Sequence, residues 1–446
     1  MKLVERIKGN KFVSSVLTIG TGNLLAQAFQ VITIPMASRL YSQGAYGEYG
    51  IVLSTATFIT GFSTLGLTSA IMMPEKEEEV HKVFKTAFYF QFFISTIIMC
   101  ACLIGSPFFK IFSVSGSYIL AVFVMYIYTV IANLQGLLVV YINKKEMNKV
   151  LFYNPLIGAI SNVLIMIPLG FLGIGFWGFL ISIIVSNIII DILMIRASNP
   201  FRTRLRYVDM IAVAKNYKAF ILYQFPANFI SSFALQFPVQ FLSRVFGNIM
   251  LGSYSMCIKL LEYPIKLIAS PIGTVYFRTA SSIHNEKDKL SDLTYKMIRG
   301  IVVTASIPVF LVIFWGEDLF LFILGPQWGE AGRLCSVLIF QYVLSFCSQC
   351  TTCCRVALGK QKLNLLYTIV QWSGVAISLL LGYVITKSFF GTIIFFAIGN
   401  SLILIFDMAM NFYCMNKNLL KYLRLIAMFL GIFVLLFFIK LSYGGI

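Results

Sequence analysis

The sequence predicts an all-α, polytopic membrane protein made of two parallel six-helix repeats, two lobes around a central cavity, with a thirteenth helix at the C-terminus. Three observations predict it. First, 59% of the 446 residues are hydrophobic and only 12% are charged, with mean hydropathy +0.87. A soluble domain carries about 25% charged residues, so the whole chain belongs in a bilayer. Second, apolar runs of roughly twenty residues alternate with short basic gaps, the spacing that crossing a hydrocarbon core requires. Third, a polar turn near the N-terminus recurs in the second half. The net charge of +18 would suggest nucleic acid if read alone. Its confinement to gaps between apolar runs makes it a topology signal instead, and no nucleic-acid partner is expected.

Thirteen spans are read at 12–37, 46–70, 86–107, 117–141, 150–171, 176–196, 218–241, 250–277, 297–315, 333–354, 363–385, 390–413 and 423–440. Lys2, Arg6, Lys8 and Lys11 precede a first segment too long and too polar for a signal h-region, so that helix is expected to be retained. With the N-terminus inside, nearly all Lys and Arg fall on the cytoplasmic side. Arg39, Lys110, Arg244, Arg333, Lys387 and Lys440 fall outside, and Lys259 and Lys266 lie within a span. An odd number of spans then puts the C-terminus on the periplasmic side. Trp177, Trp315 and Trp328 sit at external span ends, as an interfacial aromatic belt would. The acidic run Glu75–Glu79 reads as a solvated inner loop, and Arg278 and Arg355 as inner charges explained by topology. Cys347, Cys350, Cys353 and Cys354 share one helix without the paired loops and histidines of a metal site, so they read as packing residues. His81 and His284 are placed in loops.

The opening segment is no plain anchor, because Asn23, Gln27 and Gln30 share one helical face. An unsatisfied polar group facing hydrocarbon is costly, so that face looks at helices or water. The segment ends in the turn 38–49, which meets itself later in the chain. Asn23 falls on Asn228, Ser38 and Arg39 on Ser243 and Arg244, Gly47 on Gly252 and Tyr49 on Tyr254. Further on, Lys144 falls on Lys360, Asn148 on Asn364, Gly175 on Gly391 and Asp191 on Asp407. Six spans on each side of the repeat make the copies parallel, related by an axis along the membrane normal. The domains read as 1–196 for the first lobe, 197–217 for a cytoplasmic linker, 218–413 for the second lobe and 414–446 for the extra helix. In span seven, Gln224, Asn228, Ser232, Gln236 and Gln240 recur every four residues, and Pro226 and Pro238 predict kinks. Such stripes serve either interhelical hydrogen bonding in a dry bundle or the wall of a wet cavity. Their occurrence on repeat-related helices favours the cavity, lined by Asn23, Gln27, Gln30, Gln224, Asn228 and Gln236.

Lys259, Glu262 and Lys266 lie on one face of span eight. Each charge near the bilayer centre costs roughly 2.5–3.5 kcal/mol on insertion scales, so the group has either a packing or a functional reason. The functional reading is a cationic cavity wall of Lys259 and Lys266, supplemented by Arg39 and Arg244 at the external rim. Glu262, Asp191 and Asp407 are the candidates for coupling or gating, although both aspartates lie near span ends where solvent could reach them. The sequence shows no nucleophile–base pair, phosphate-cradling glycine loop or metal-ligand cluster, so neither a catalytic nor a metal site is assigned and an enzyme is not expected.

Arg39-Leu40-Tyr41-Ser42 with Tyr46-Gly47-Glu48-Tyr49, its echo Arg244-Val245-Phe246-Gly247 with Leu251-Gly252-Ser253-Tyr254, the Gly359-Lys360 loop and the turn Leu324-Gly325-Pro326-Gln327-Trp328 together resemble the polysaccharide exporter family. That family includes the O-antigen and capsular repeat-unit flippases of the multidrug/oligosaccharidyl-lipid/polysaccharide superfamily. The resemblance, over about residues 10–415, implies a bacterial inner-membrane flippase acting by alternating access. It would carry an undecaprenyl-pyrophosphate-linked oligosaccharide to the periplasmic leaflet, with no cofactor beyond a coupling proton or sodium ion. Its partners would be the lipid-linked glycan, membrane lipids and other glycan-assembly proteins. The competing reading is a cation-coupled drug or metabolite exporter of the same superfamily, which a cavity of net positive charge disfavours.

Overall fold

The computed structural model describes residues 11–105, 117–202, 205–283, 285–351, 354–355, 358, 360–415 and 417–442. Lys2, Arg6, Lys8, Lys110, His284, Cys353 and Gly359 of the sequence reading lie outside them. Every regular element among the described residues is helical. The helices in chain order are α1 (Lys11–Leu40), α2 (Gln43–Ser63), α3 (Glu77–Gly105), α4 (Tyr118–Lys144), α5 (Asn148–Phe171), α6 (Phe176–Ser198), α7 (Tyr207–Asn216), α8 (Phe225–Ser282), α9 (Lys287–Leu324), α10 (Gly329–Thr351), α11 (Gln361–Thr386), α12 (Phe389–Met415) and α13 (Leu419–Ser442). Among the described residues nine helices are long and apolar enough to cross a membrane, and they fall in α3–α6 and α9–α13. The four other expected spans lie on α1, α2 and α8. These are helical as well, but they carry the two polar turns and the amide stripes.

The chain divides into two compact units at Gly252/Ser253. In the first, α1 packs on α5, α5 on α6, α6 on α4, and α4 on α3 and α2. In the second, α9 packs on α10, α10 on α12, and α12 on α11. The pairs α3–α4, α4–α6 and α5–α6 thus recur as α9–α10, α10–α12 and α11–α12, in the order the repeat predicts. The thirteenth helix is more than a peripheral addition. It packs on α9 and α12, buries Tyr422, Leu425, Ile426 and Phe429 in the core of the second unit, and the Tyr422 hydroxyl donates to Ile405 O at 3.1 Å.

Local chemistry fixes the corner between α1 and α2. Ser42 is the N-cap of α2, and its hydroxyl accepts from Ala45 N at 3.2 Å. The preceding Tyr41 turns inward, 2% exposed. Its hydroxyl donates to Met166 O at 2.6 Å and its ring lies 4.0 Å from that of Phe179. Gly170 and Gly178 flank the Tyr41 ring too closely to admit a Cβ without movement. The corner is therefore pinned to the facing ends of α5 and α6.

The kinks expected at Pro226 and Pro238 take another form. A π-turn, Phe220–Gln224, leads into α8, and the Phe225 N–H reaches back five residues to Phe220 O. A wider turn accommodates the ring and missing donor of Pro226 without breaking the helix. The one residue of α8 that leaves helical geometry is Gly247, at φ 83° and ψ 177°, a conformation that glycine adopts at low cost.

Several expected loop features are structural. Glu77, Glu78 and Glu79 form the first turn of α3, where negative charge suits the helix dipole. His81 lies within α3, 3% exposed, with Nδ1 2.8 Å from Pro200 O. The expected linker contains α7, which packs on α3. Its first turn is closed by the Arg206 N–H donating to Asp209 Oδ2 at 3.0 Å. That bond, with Lys82 at 3.4 Å, holds the Asp209 carboxyl below the usual carboxylate range. Trp328 is fully buried and is a core residue instead of part of an interfacial belt. Cys347, Cys350 and Cys354 are buried in the core of the second unit.

The two copies of the polar turn meet inside the first unit. A Cβ on Gly47 would collide with Asn248 O, and a Cβ on Gly252 would collide with Gln43 O. These contacts exchange under the repeat, since Gly47 corresponds to Gly252 and Gln43 to Asn248. Gly47→Ala and Gly252→Ala are each expected to destabilise the purified protein by about 1–3 kcal/mol through overpacking against backbone, whereas Gly20→Ala, with open space around it, should be neutral. Thermal unfolding in a single detergent measures all three, and equal behaviour would show that the turn contact carries no stability.

Candidate functional site

Arg39 ends α1 and Arg244 lies three residues before the break in α8; both side chains are exposed. Their turns touch through the glycine contacts. In this structure the two arginines therefore flank turns that are in contact, within the first unit. Behind them, Ser38 and Ser243 occupy equivalent buried positions. The Ser38 hydroxyl donates to Pro35 O at 3.0 Å and that of Ser243 to Asn248 Oδ1 at 3.0 Å.

The polar stripe of α8 runs along α2. Gln240 Nε2 donates to Thr55 Oγ1 at 2.8 Å and lies 3.3 Å from Ser54 Oγ. The Ser232 side chain fills the space that a Cβ on Gly61 would need, and the stem of Gln224 lies against Gly66. Phe58 and Phe62 of α2 meet Phe229 of α8 with ring centroids 5.4 and 5.0 Å apart. Gln224 Nε2 donates to Asn228 Oδ1 at 2.9 Å. Part of the stripe is thus interhelical packing, while Gln224 remains exposed and Asn228 and Gln236 half-buried. On α1, Asn23 is exposed and Gln27 and Gln30 are half-buried. The Gln27 Oε1 atom is buried with no hydrogen-bond partner among the described residues.

In the second unit, Lys259 is exposed and Glu262 half-buried on the same face of α8. Lys266 holds its place on that helix, and its side chain lies outside the described residues. Glu262 is close enough to Tyr254, Tyr263 and Tyr342 to act electrostatically on their hydroxyls.

The two repeat-related aspartates differ most from the sequence reading. Neither is solvated: Asp191 is 4% exposed and Asp407 is 0% exposed. Asp407 joins a buried network with Arg355, which is also fully buried and so is no mere topology charge. Arg355 Nη2 lies 2.6 Å from Asp407 Oδ1. Arg355 Nη1 donates to Asp407 O at 3.0 Å and to Asn411 Oδ1 at 3.1 Å, and the Ser348 hydroxyl donates to Asp407 Oδ2 at 2.5 Å. The guanidinium also lies 5.3 Å from the centre of the Tyr367 ring, a cation–π distance. The network ties α12 to α11 and to the end of α10. In the first unit Asp191 forms no ion pair with a cation among the described residues. Both of its carboxyl oxygens are buried without a hydrogen-bond partner among the described residues, and the residue corresponding to Arg355 is Val139. Gln91 and Ser95, one turn apart on α3, are a further buried polar pair without partners among the described residues. Their four-residue spacing was the signal available in sequence.

The model of the polysaccharide biosynthesis protein family matches residues 36–333, a stretch containing both copies of the turn. The chain belongs to that family. It is 23% identical over 360 residues to the succinoglycan biosynthesis transport protein ExoT of Rhizobium meliloti, covering 78% of this chain and 68% of that one. Among solved structures, it resembles the lipid II flippase MurJ in an inward closed conformation, with TM-score 0.69, 12% identity and coverage of 96% of this chain and 98% of that chain. It also resembles an inward-facing multidrug-resistance MATE transporter, with TM-score 0.64, 16% identity and coverage of 90% and 96%. The fold of this polysaccharide biosynthesis protein is therefore the two-lobed one those transporters share.

Removing one partner of a buried ion pair strands the other charge and costs about 3–5 kcal/mol. Arg355→Gln should lower stability by that order, as a thermal-unfolding series in one detergent would read. Asp191→Asn removes no ion pair or hydrogen bond seen among the described residues and should leave stability unchanged or raise it. Equal losses in the two variants would mean that Asp191 has a partner of its own.

Proposed function

We propose that this chain is a flippase that moves an undecaprenyl-pyrophosphate-linked oligosaccharide, an O-antigen or capsule repeat unit, from the cytoplasmic to the periplasmic leaflet of a bacterial inner membrane. The observation that carries this reading is the family match across both turn copies. The name of the Rhizobium meliloti relative, a succinoglycan transport protein, and the fold shared with a lipid II flippase support it. The charges agree with a pyrophosphate: Arg39 and Arg244 are exposed at the turns and Lys259 on α8, with Lys266 about two turns further along that helix. Amides on α1 and α8 supply sequence-tolerant hydrogen bonding for sugars.

Alternating access in this reading opens the external side by parting the two glycine-packed turns, and Arg39 and Arg244 then become the rim. Glu262, placed between two lysines, and Asp191, buried without a cation, are the proposed coupling groups for a proton or sodium gradient. Asp407, held by Arg355, is proposed to be structural, fixing the helices around it.

The test is reconstitution of the full chain in liposomes with the undecaprenyl-pyrophosphate-linked oligosaccharide, reading how much glycan becomes accessible to a membrane-impermeant glycosidase. Wild-type protein should translocate it, and Lys266→Gln should lower the rate at least about tenfold, the scale of one lost charge-assisted contact, at equal protein incorporation. Translocation of cationic dyes without glycan movement would favour the exporter reading instead. Glycan movement unaffected by collapsing both gradients would remove the coupling role of Glu262 and Asp191.

A further inference from the structure

The end of α12 and the start of α13 line an open cavity of about 560 Å³ whose lining includes Tyr413, Lys417, Asn418, Leu420, Lys421 and Arg424. Its charge is strongly positive. Lys417 is paired with Asp288 at 3.0 Å, and Asn418 Nδ2 donates to Asp292 Oδ1 at 2.9 Å. Lys421 and Arg424, both exposed, form no ion pair within 4 Å among the described residues. Lys287 and Lys360 stand close enough to act on the neighbouring Cys414. The large apolar side chains beside these cations are open to the surroundings, with Tyr413 69% and Leu420 71% exposed.

The same two helices shape a second, apolar cavity of about 250 Å³, lined by Ile398, Leu402 and Ile405 of α12 and by Leu430, Phe433 and Val434 of α13. It faces outward, since Leu402 is 62% and Ile398 56% exposed. Along α12, Ile398, Leu402 and Ile405 recur at the spacing of one face, which continues to Phe412 in the cationic cavity. Seven residues separate Ile405 from Phe412, a rise of about 10 Å. That distance spans the interfacial layer, which is about 5–8 Å thick on each side of a hydrocarbon core of about 30 Å. The apolar cavity runs from Ile394 to Ile405, a helix rise of about 16 Å and thus the depth of one leaflet.

We propose that the α12–α13 seam binds an anionic glycerophospholipid. Its phosphate rests against Lys421, Arg424 and Lys417, and one acyl chain lies in the groove beside Leu402 and Val434. Basic pockets between membrane helices suit anionic head groups, each cation near the surface strengthening the attraction. The length of the groove selects a chain of one leaflet over a polyprenyl chain long enough to enter both. This site involves none of the residues assigned to glycan transport, and its test does not depend on transport.

The full chain, extracted from vesicles of equal phosphatidylglycerol and phosphatidylcholine, should retain phosphatidylglycerol roughly tenfold or more over phosphatidylcholine by native mass spectrometry, on the scale of a few surface cations. The triple variant Lys417→Gln, Lys421→Gln, Arg424→Gln should fall to parity. Leu402→Trp, which keeps every cation but fills the groove, should also lose the bound lipid, and Lys387→Gln should behave as wild type. Equal retention of the two lipids by the wild-type chain would overturn the proposal, as would undiminished retention in the triple variant or in Leu402→Trp. Displacement of the lipid by millimolar glycerol 3-phosphate would show a soluble-phosphate site, and preferential retention of undecaprenyl phosphate a long-chain site. Either result also overturns it.

Discussion

The structure of the first unit depends on two glycines that let backbone meet backbone. Where Gly47 approaches the Asn248 carbonyl and Gly252 the Gln43 carbonyl, any side chain would hold the two turns apart. The contact is reciprocal because the sequence is repeated, so a single substitution type has been placed twice to solve one steric problem. In hydrocarbon, helices gain little from apolar burial against each other, and close packing of small residues supplies much of their association. The pinned Tyr41 corner then transmits this contact to α5 and α6, whose packing on each other and on α4 completes the unit.

A division of labour between helices follows. Among the described residues, the helices long and apolar enough to cross a membrane are α3–α6 and α9–α13, while α1, α2 and α8 carry the turns and stripes. The latter can afford amides only where neighbours or water satisfy them. On α8 the Gln240 amide is satisfied by Ser54 and Thr55, whereas Gln224 uses Asn228 four residues along its own helix. One stripe therefore combines a packing end and a solvent-accessible end, and the two readings offered by its spacing describe different parts of the same helix.

The repeated frame was legible in sequence because it rests on identities at fixed offsets, Asn23 with Asn228 and Asp191 with Asp407 among them. The helix packing repeats accordingly. Burial at helix ends was not legible. Asp407 and Arg355 lie 52 residues apart, and nothing in either segment marks the other as a partner. Both stand close to span ends, where distance along one helix suggests water but the three-dimensional neighbourhood excludes it. Trp328 failed for the same reason, since an external span end in sequence became a closed core in space. The short α7 was missed because ten residues between two basic gaps carry too little apolar periodicity to stand out. Arg39 and Arg244 lie at turns related by the repeat, yet a relation read from sequence does not distinguish touching turns from turns separated by a cavity.

Duplication supplies two equivalent positions, and the charges show that they have not kept equivalent surroundings. A buried carboxylate is tolerated when a guanidinium and a hydroxyl donor face it, as Arg355 and Ser348 do at Asp407, with Asn411 Oδ1 accepting from Arg355 in turn. Removing the cation from this arrangement, as Val139 does at the matching place, should select against the aspartate, because an unpaired buried charge is among the costliest features a core can hold. Asp191 nevertheless stands at the equivalent position with both oxygens buried. The asymmetry therefore separates an aspartate that holds helices together from one in the first unit whose carboxyl makes no ion pair or hydrogen bond among the described residues.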